Sequence, residues 1–122
     1  MSRKILVQNK KARHDYEIEE TFEAGIVLTG AEVKSLRQSK ASLVDSFAIV
    51  KDAEIFMHNC YVAPYKQAHD ADYKTRQPRK LLLHRRQINK LSGAVNKKGK
   101  TIAILAIYLN ERNLIKVEIA LA

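Results

Sequence analysis

Residues 16–29 read YEIEETFEAGIVLT. Tyr16, Ile18, Phe22, Ala24, Ile26 and Leu28 alternate with Glu17, Glu19, Thr21, Glu23, Val27 and Thr29, and only Glu20 breaks the order. A period of two is that of a strand with one face on a core and the other in water. Gly25 sits inside the series, and a glycine within a strand marks a bend. A long strand coiled at a glycine is a device for closing a small barrel.

Working outward, Thr29-Gly30-Ala31-Glu32 has the spacing of a capping box, so a short helix is predicted with Val33 and Leu36 inward and Lys34 and Arg37 outward. Phe47 to Val50 and Ile55 to Tyr61 flank the polar turn 51–54 as a hairpin. Residues 63–78, with Pro64 and Pro78, carry no period and read as a long loop. From Arg79 to Val95 a helical period places Leu81, His84, Ile88, Leu91 and Val95 in one arc, with Arg79, Arg86 and Lys90 on the far side and Leu82 beside that basic face. A basic turn, 96–100, leads to a buried strand from Ile102 to Leu109. A turn from Asn110 to Asn113 then leads to an alternating strand from Leu114 to Leu121. The expected fold is mainly β: one small closed OB-like antiparallel barrel of five or six strands with two or three short flanking helices, a single domain over residues 1–122.

The chain has 122 residues, 22 Lys plus Arg against 13 Asp plus Glu, and a net charge of +9. The charge is unevenly placed. Arg3, Lys4, Lys10, Lys11 and Arg13 precede any acid, then Asp15, Glu17, Glu19, Glu20 and Glu23 reverse the sign. Residues 74–100 hold ten cations and no carboxylate. A run of that kind repels itself, and a polyanion is the simplest partner to offset the repulsion; a merely solvated surface is the alternative. Nucleic acid leads over an anionic membrane, because the block has neither Trp nor Phe for an apolar helix face. The longest apolar stretch, Ile102 to Leu109, is far short of a bilayer span, and residues 1–13 lack the apolar core of a secretory signal, so no membrane partner and a cytoplasmic location are expected. Cys60 is the one cysteine, which leaves no intramolecular disulfide and no four-ligand zinc site.

Catalytic chemistry finds little support. Cys60 and His58 share a strand face as a nucleophile and base would, yet a lone small thiol is more often core packing. Glu17, Glu19 and Glu23 could bind Mg²⁺ in a nuclease, or pair with Lys and Arg on an adjacent strand, which is the better reading. No catalytic residue, metal or cofactor is expected. Tyr16, Phe22 and Phe47 look like core, whereas Tyr61, Tyr65 and Tyr73 lie in or near the long loop, where they could meet a base or sugar.

Several blocks together carry a family resemblance. They are residues 9–16 (NKKARHDY), 22–26 (FEAGI), 30–37 (GAEVKSLR), 63–65 (APY) and 79–84 (RKLLLH). In this order they are similar to the SsrA-binding protein family, SmpB, from about Asn9 to Ala122. The resemblance implies an OB-like barrel, without enzymatic activity, that binds the tRNA-like domain of transfer-messenger RNA and escorts it to stalled ribosomes for trans-translation. It implies RNA-binding roles for Glu23, Leu82 and Lys116. The expected RNA-binding set adds Asn9, Lys10, Lys11, Arg13, His14, Lys34, Arg37, Arg79, Lys80 and Lys98. The free protein is expected to be a monomer. The alternative is a general OB-fold RNA-binding or ribosomal protein.

Residues 74–78 depart from the family, which carries an Asp-Pro turn there. In the family the last strand is also followed by Gly-Lys-Lys and a long basic tail, and the resemblance implies that this tail reads the ribosome's decoding centre. Residues 1–122 alone are therefore expected to bind the RNA, with affinity falling steeply as salt rises, but not to support tagging on stalled ribosomes. Full tagging activity from these residues would overturn that expectation.

Overall fold

A computed structural model describes residues 3–68 and 70–122. In chain order they form β1 (Lys4–Gln8), α1 (Lys10–Asp15), β2 (Glu20–Ile26), α2 (Gly30–Arg37), β3 (Ala41–Ser42), β4 (Phe47–Lys51), β5 (Glu54–His58), β6 (Tyr61–Val62), a 3-10 turn (Lys66–Ala68), β7 (Arg79–Leu82), α3 (Arg85–Lys98), β8 (Ile102–Leu109) and β9 (Ile115–Leu121). β8, β4, β5, β7, β2 and β9 pair in that order, and β9 returns to β8, which closes a six-stranded antiparallel barrel. β1 adds to the C-terminal half of β8. β3 and β6 form a separate two-stranded sheet.

Closure is made by β2. Its first half, Glu20–Ala24, pairs with β9, and its last residues pair with β7, Gly25 opposite Leu82 and Ile26 opposite Leu81. Gly25 stands where the partner changes. Phe22 and Ala24 point inward to join Ile55, Met57, Leu81, Val117, Ile119 and Leu121 in the core.

All eight residues of β8 are buried, so its periodicity is hidden in the sequence. Ile102 and Ile104 face the barrel interior, Ala103 and Leu105 the outer layer, and a bulge between Ile104 and Ala106 then shifts the phase so that Ile107 and Leu109 face inward. Asn9 occupies the bulge: its N–H donates to Leu105 O at 2.8 Å and its Nδ2 to Ile104 O at 2.9 Å. The same side chain caps α1 by accepting from Ala12 N–H, and Ala12 packs on Ala103, Leu105 and Ala120. β1 and α1, at five and six residues, were too short to show as periods in the sequence.

The capping box forms as expected, with Thr29 and Glu32 each accepting the other's backbone N–H. Leu36 is buried in the core, together with Glu32 and Ser35. The helix expected from Arg79 is a strand up to Leu82, because Leu81 pairs with Ile55 and Arg79 with Met57 on β5, and tertiary pairing overrides the local period. α3 starts after His84, whose N–H donates to the Gln87 side chain, and runs through the expected turn to Lys98; Gly99 ends it at φ 65°. Ile88, Leu91 and Ala94 carry its apolar stripe into the core. Phe47 and Tyr16, expected inside, are 45% and 42% exposed; Phe47 lies on the outer face of β4, stacked on His58 at 5.5 Å.

Arg79 is the largest correction. Expected on a solvated basic face, it is 3% exposed. Its Nε donates to Glu32 Oε2 at 2.7 Å, its Nη1 to the carbonyls of Cys60 and Gln77, and its Nη2 to Thr75 O and the Tyr73 hydroxyl. All the guanidinium donors are used inside the protein, which removes Arg79 from the expected phosphate contacts. The pair ties α2 and the loop of residues 63–78 to the barrel wall. Burial alone would raise the Glu32 pKa, but the N–H of Thr29, the Arg79 guanidinium and the Gln77 amide hold it below the ordinary carboxylate range.

Arg79→Ala leaves Glu32 buried and unpaired and is expected to cost about 3–5 kcal/mol in urea unfolding. Because the folded Glu32 pKa is depressed, its contribution is fully present above the ordinary carboxylate pKa of about 4.3 and is lost as pH falls below that value toward the lowered one. Wild-type stability should fall over that acidic window, and Glu32→Gln should flatten the fall.

Candidate nucleic-acid interface

The outer face of β7, β2, β9 and β8 gathers residues that are far apart in the chain. Gly25 and Glu23, two apart on β2, share this face. Across from Gly25 on β7 stands Leu82, 49% exposed, and across from Glu23 on β9 stands Glu118. One step past the Ala24–Val117 pair, the register brings Lys116 level with Gly25, and Lys116 in turn lies opposite Tyr108 of β8. Leu82 and Lys116 thus flank a floor that is bare backbone. A Cβ added at Gly25 would lie 3.3 Å from Leu82 Cβ, so the glycine also permits the close approach.

Glu23 and Glu118 face each other, and like charges directly opposite on a sheet repel. Each is offset by its own partner. Glu118 Oε1 accepts from Arg13 Nη2 at 2.6 Å and from Arg3 Nη2 at 3.2 Å. The Tyr108 hydroxyl donates to Glu23, and Arg3 lies over the Tyr108 ring, 4.3 Å from its centroid. Burial, then Glu23, pushes the Tyr108 phenol up, so it stays a donor at any working pH. The hydrogen bond to Glu118 raises Arg3 further. Sequence reading gave Glu23 a Lys or Arg on the adjacent strand; its neighbour there is another acid, and its partner is a phenol from β8.

The other expected residues surround this face or lie apart from it. Lys10, Lys11 and His14 are exposed on α1, whose Arg13 reaches the face through Glu118. Asn9 is half-buried with its amide bound to the β8 bulge, so it is part of the scaffold. On α2, Lys34 lies 5.3 Å from the Tyr65 ring centroid, and Arg37 donates to Asn113 O at the β8–β9 turn. Lys80 approaches Glu54 at 3.9 Å, and Lys98 is exposed at the end of α3. The basic run of residues 74–100 is only half uncompensated: Arg79, Lys80, Arg85, Lys90 and Lys100 pair with acids from other segments. Tyr73 belongs to the Arg79 network, and Tyr61 lies beneath Arg76. Cys60 is buried and its thiol is pushed up to about 11, chiefly by burial, as fits core packing. Among the described residues no helix is long and apolar enough to cross a membrane.

Sequence reading missed Arg3, Tyr108 and Glu118 as members of this face. The alternation Lys116, Glu118 did place those two on one face of β9; Tyr108, inside an unbroken apolar run, gave no signal.

A barrel with an exposed leucine, a bare-backbone floor and clustered guanidinium groups on one face is a small basic nucleic-acid-binding barrel. The family model described as SmpB protein matches residues 6–122, and the chain belongs to that family. An SsrA-binding protein of Moorella thermoacetica is 50% identical over 118 residues, 97% of this chain and 76% of the relative. One from Caldanaerobacter subterraneus subsp. tengcongensis is 53% identical over 119 residues, 98% of this chain and 75% of the relative. A solved structure described as "tmRNA-SmpB: a journey to the center of the bacterial ribosome" contains a chain 49% identical at a TM-score of 0.74, covering 93% of this chain and 80% of that one.

Gly25→Ala narrows the floor between Leu82 and Lys116. It is expected to lower the melting temperature by a few degrees, because Leu82 Cβ must give way, and to weaken RNA binding several-fold, on the order of 1 kcal/mol. Unchanged filter binding would show that the floor is not used.

Proposed function

We propose that this protein is an RNA-binding adaptor of trans-translation. It binds the tRNA-like domain of transfer-messenger RNA and delivers it to stalled ribosomes in the cytoplasm. The observation that carries the reading is the convergence of Glu23, Leu82 and Lys116, from three different strands, on one outward face around Gly25. Membership of the SmpB family and the names of the relatives support it.

Recognition on such a face is by shape. Leu82 offers apolar surface to a base or sugar, Lys116 a charge for phosphate, and Glu23 an acceptor for a base edge or 2′-hydroxyl, which a phosphate-binding residue could not supply. Lys10, Lys11, Lys97 and Lys98, exposed and without an acidic partner among the described residues, supply the nonspecific electrostatic term. Each phosphate they neutralise adds a slope of about −0.9 to the logarithmic salt dependence on duplex-like RNA. The protein supplies position and charge and carries out no chemical step.

The test is competition between the tRNA-like domain, an ordinary tRNA and single-stranded RNA at fixed salt. Leu82→Ala is expected to weaken the tRNA-like domain selectively, by about tenfold, and Lys98→Ala to weaken all structured RNAs alike and lower the salt slope by about one. Equal binding of folded and unstructured RNA by the wild type would favour a general RNA-binding barrel instead.

A further inference from the structure

We infer that Glu118 is a positioning residue for the RNA-binding face: its carboxylate fixes the guanidinium groups of Arg3 and Arg13, so an acid at the centre of a polyanion-binding surface strengthens recognition of folded RNA. The inference rests on the function proposed above and goes beyond it, since it assigns Glu118, Arg3 and Arg13 a joint role.

Three observations carry it. Glu118 stands opposite Glu23, a pairing that repels a polyanion and destabilises the sheet unless something offsets it. Among the described residues it is the one carboxylate that binds two arginines, and it takes both on Oε1. The geometry is also semi-enclosed: the Glu118 side chain is 15% exposed, whereas those of Arg3 and Arg13 are 39% and 40% exposed. Each arginine gives Glu118 one Nη, and a guanidinium carries five N–H donors, so the pair does not exhaust them. Arg3 is held a second time by the Tyr108 ring, and Tyr108 in turn holds Glu23. The guanidinium groups come from before β1 and from α1, two segments that meet only because both dock on β8. An arginine fixed by a carboxylate loses less conformational freedom on meeting a phosphate than one that is free, and its planar fork is already oriented.

Simple charge counting gives the opposite sign. Removing an acid from a basic face should tighten every RNA, and a purely structural staple should change melting and leave both affinities in place. The experiment measures binding of the tRNA-like domain and of unstructured RNA to the wild type, Glu118→Gln and Glu118→Asp. The same substitutions are made in an Arg3→Ala, Arg13→Ala background, with melting curves alongside. Glu118→Gln is expected to weaken the tRNA-like domain by about five- to tenfold while unstructured RNA binds as well or better, and to have no effect once both arginines are gone. Glu118→Asp keeps the charge but shortens the reach, and is expected to weaken the folded RNA as well. Tighter or unchanged binding of the tRNA-like domain by Glu118→Gln, or full affinity in Glu118→Asp, overturns the positioning role. Loss of wild-type preference for the tRNA-like domain instead overturns the proposed function, and the two failures are separate readings of one series.

Discussion

The barrel closes because β2 changes partner. Its first half belongs to β9 and its end to β7, and the change falls at Gly25, where no side chain obstructs the turn. Much else depends on that exchange. It sets Phe22 and Ala24 on the core and leaves Glu23 outside. It brings the end of β7 against the bend, so that Leu82 stands exposed over Gly25 instead of being covered by a continuing sheet. One backbone constraint thus produces both the fold and the surface shelf.

A second constraint is buried charge. Arg79 and Glu32 are almost wholly out of water, and such a pair survives only if its remaining donors and acceptors are satisfied. Here they are: among the described residues no buried side-chain nitrogen or oxygen lacks a hydrogen-bond partner. The network gathers α2, β7 and the loop of residues 63–78, so a long segment without regular structure is fixed to the wall from which Leu82 projects.

Charge has three uses in this chain. Inside, Arg79 is structural. On the outer face of β2 and β9, Glu118 pairs with Arg3 and Arg13. Elsewhere on the surface, Lys10, Lys11, Lys97 and Lys98 pair with no acid among the described residues and carry uncompensated positive charge. A net charge of +9 summarises none of these separately.

The alternation in residues 20–26, the capping box at Thr29 and Glu32, and the hairpin around residues 51–54 depend on neighbours in sequence, and those elements were legible there, although the expected strand over residues 16–29 is cut to Glu20–Ile26 because Tyr16 caps α1 and Thr29 caps α2. So was the candidate face in part, through motifs that resemble a family and place Glu23, Leu82 and Lys116. What the sequence could not determine was anything set by strand pairing. Arg79 to Leu82 has a helical period but forms a strand, because β5 and β2 offer it hydrogen bonds on both edges. Arg79 goes inward because Glu32, 47 residues away, meets it there. Tyr108 reaches Glu23 only because a bulge in β8 shifts its phase, and Arg3 reaches Glu118 only because β1 docks on β8. Local periodicity gives an amphipathic element its type, whereas the identity of the charge it meets is a property of closure, which brings together residues that no window along the chain contains.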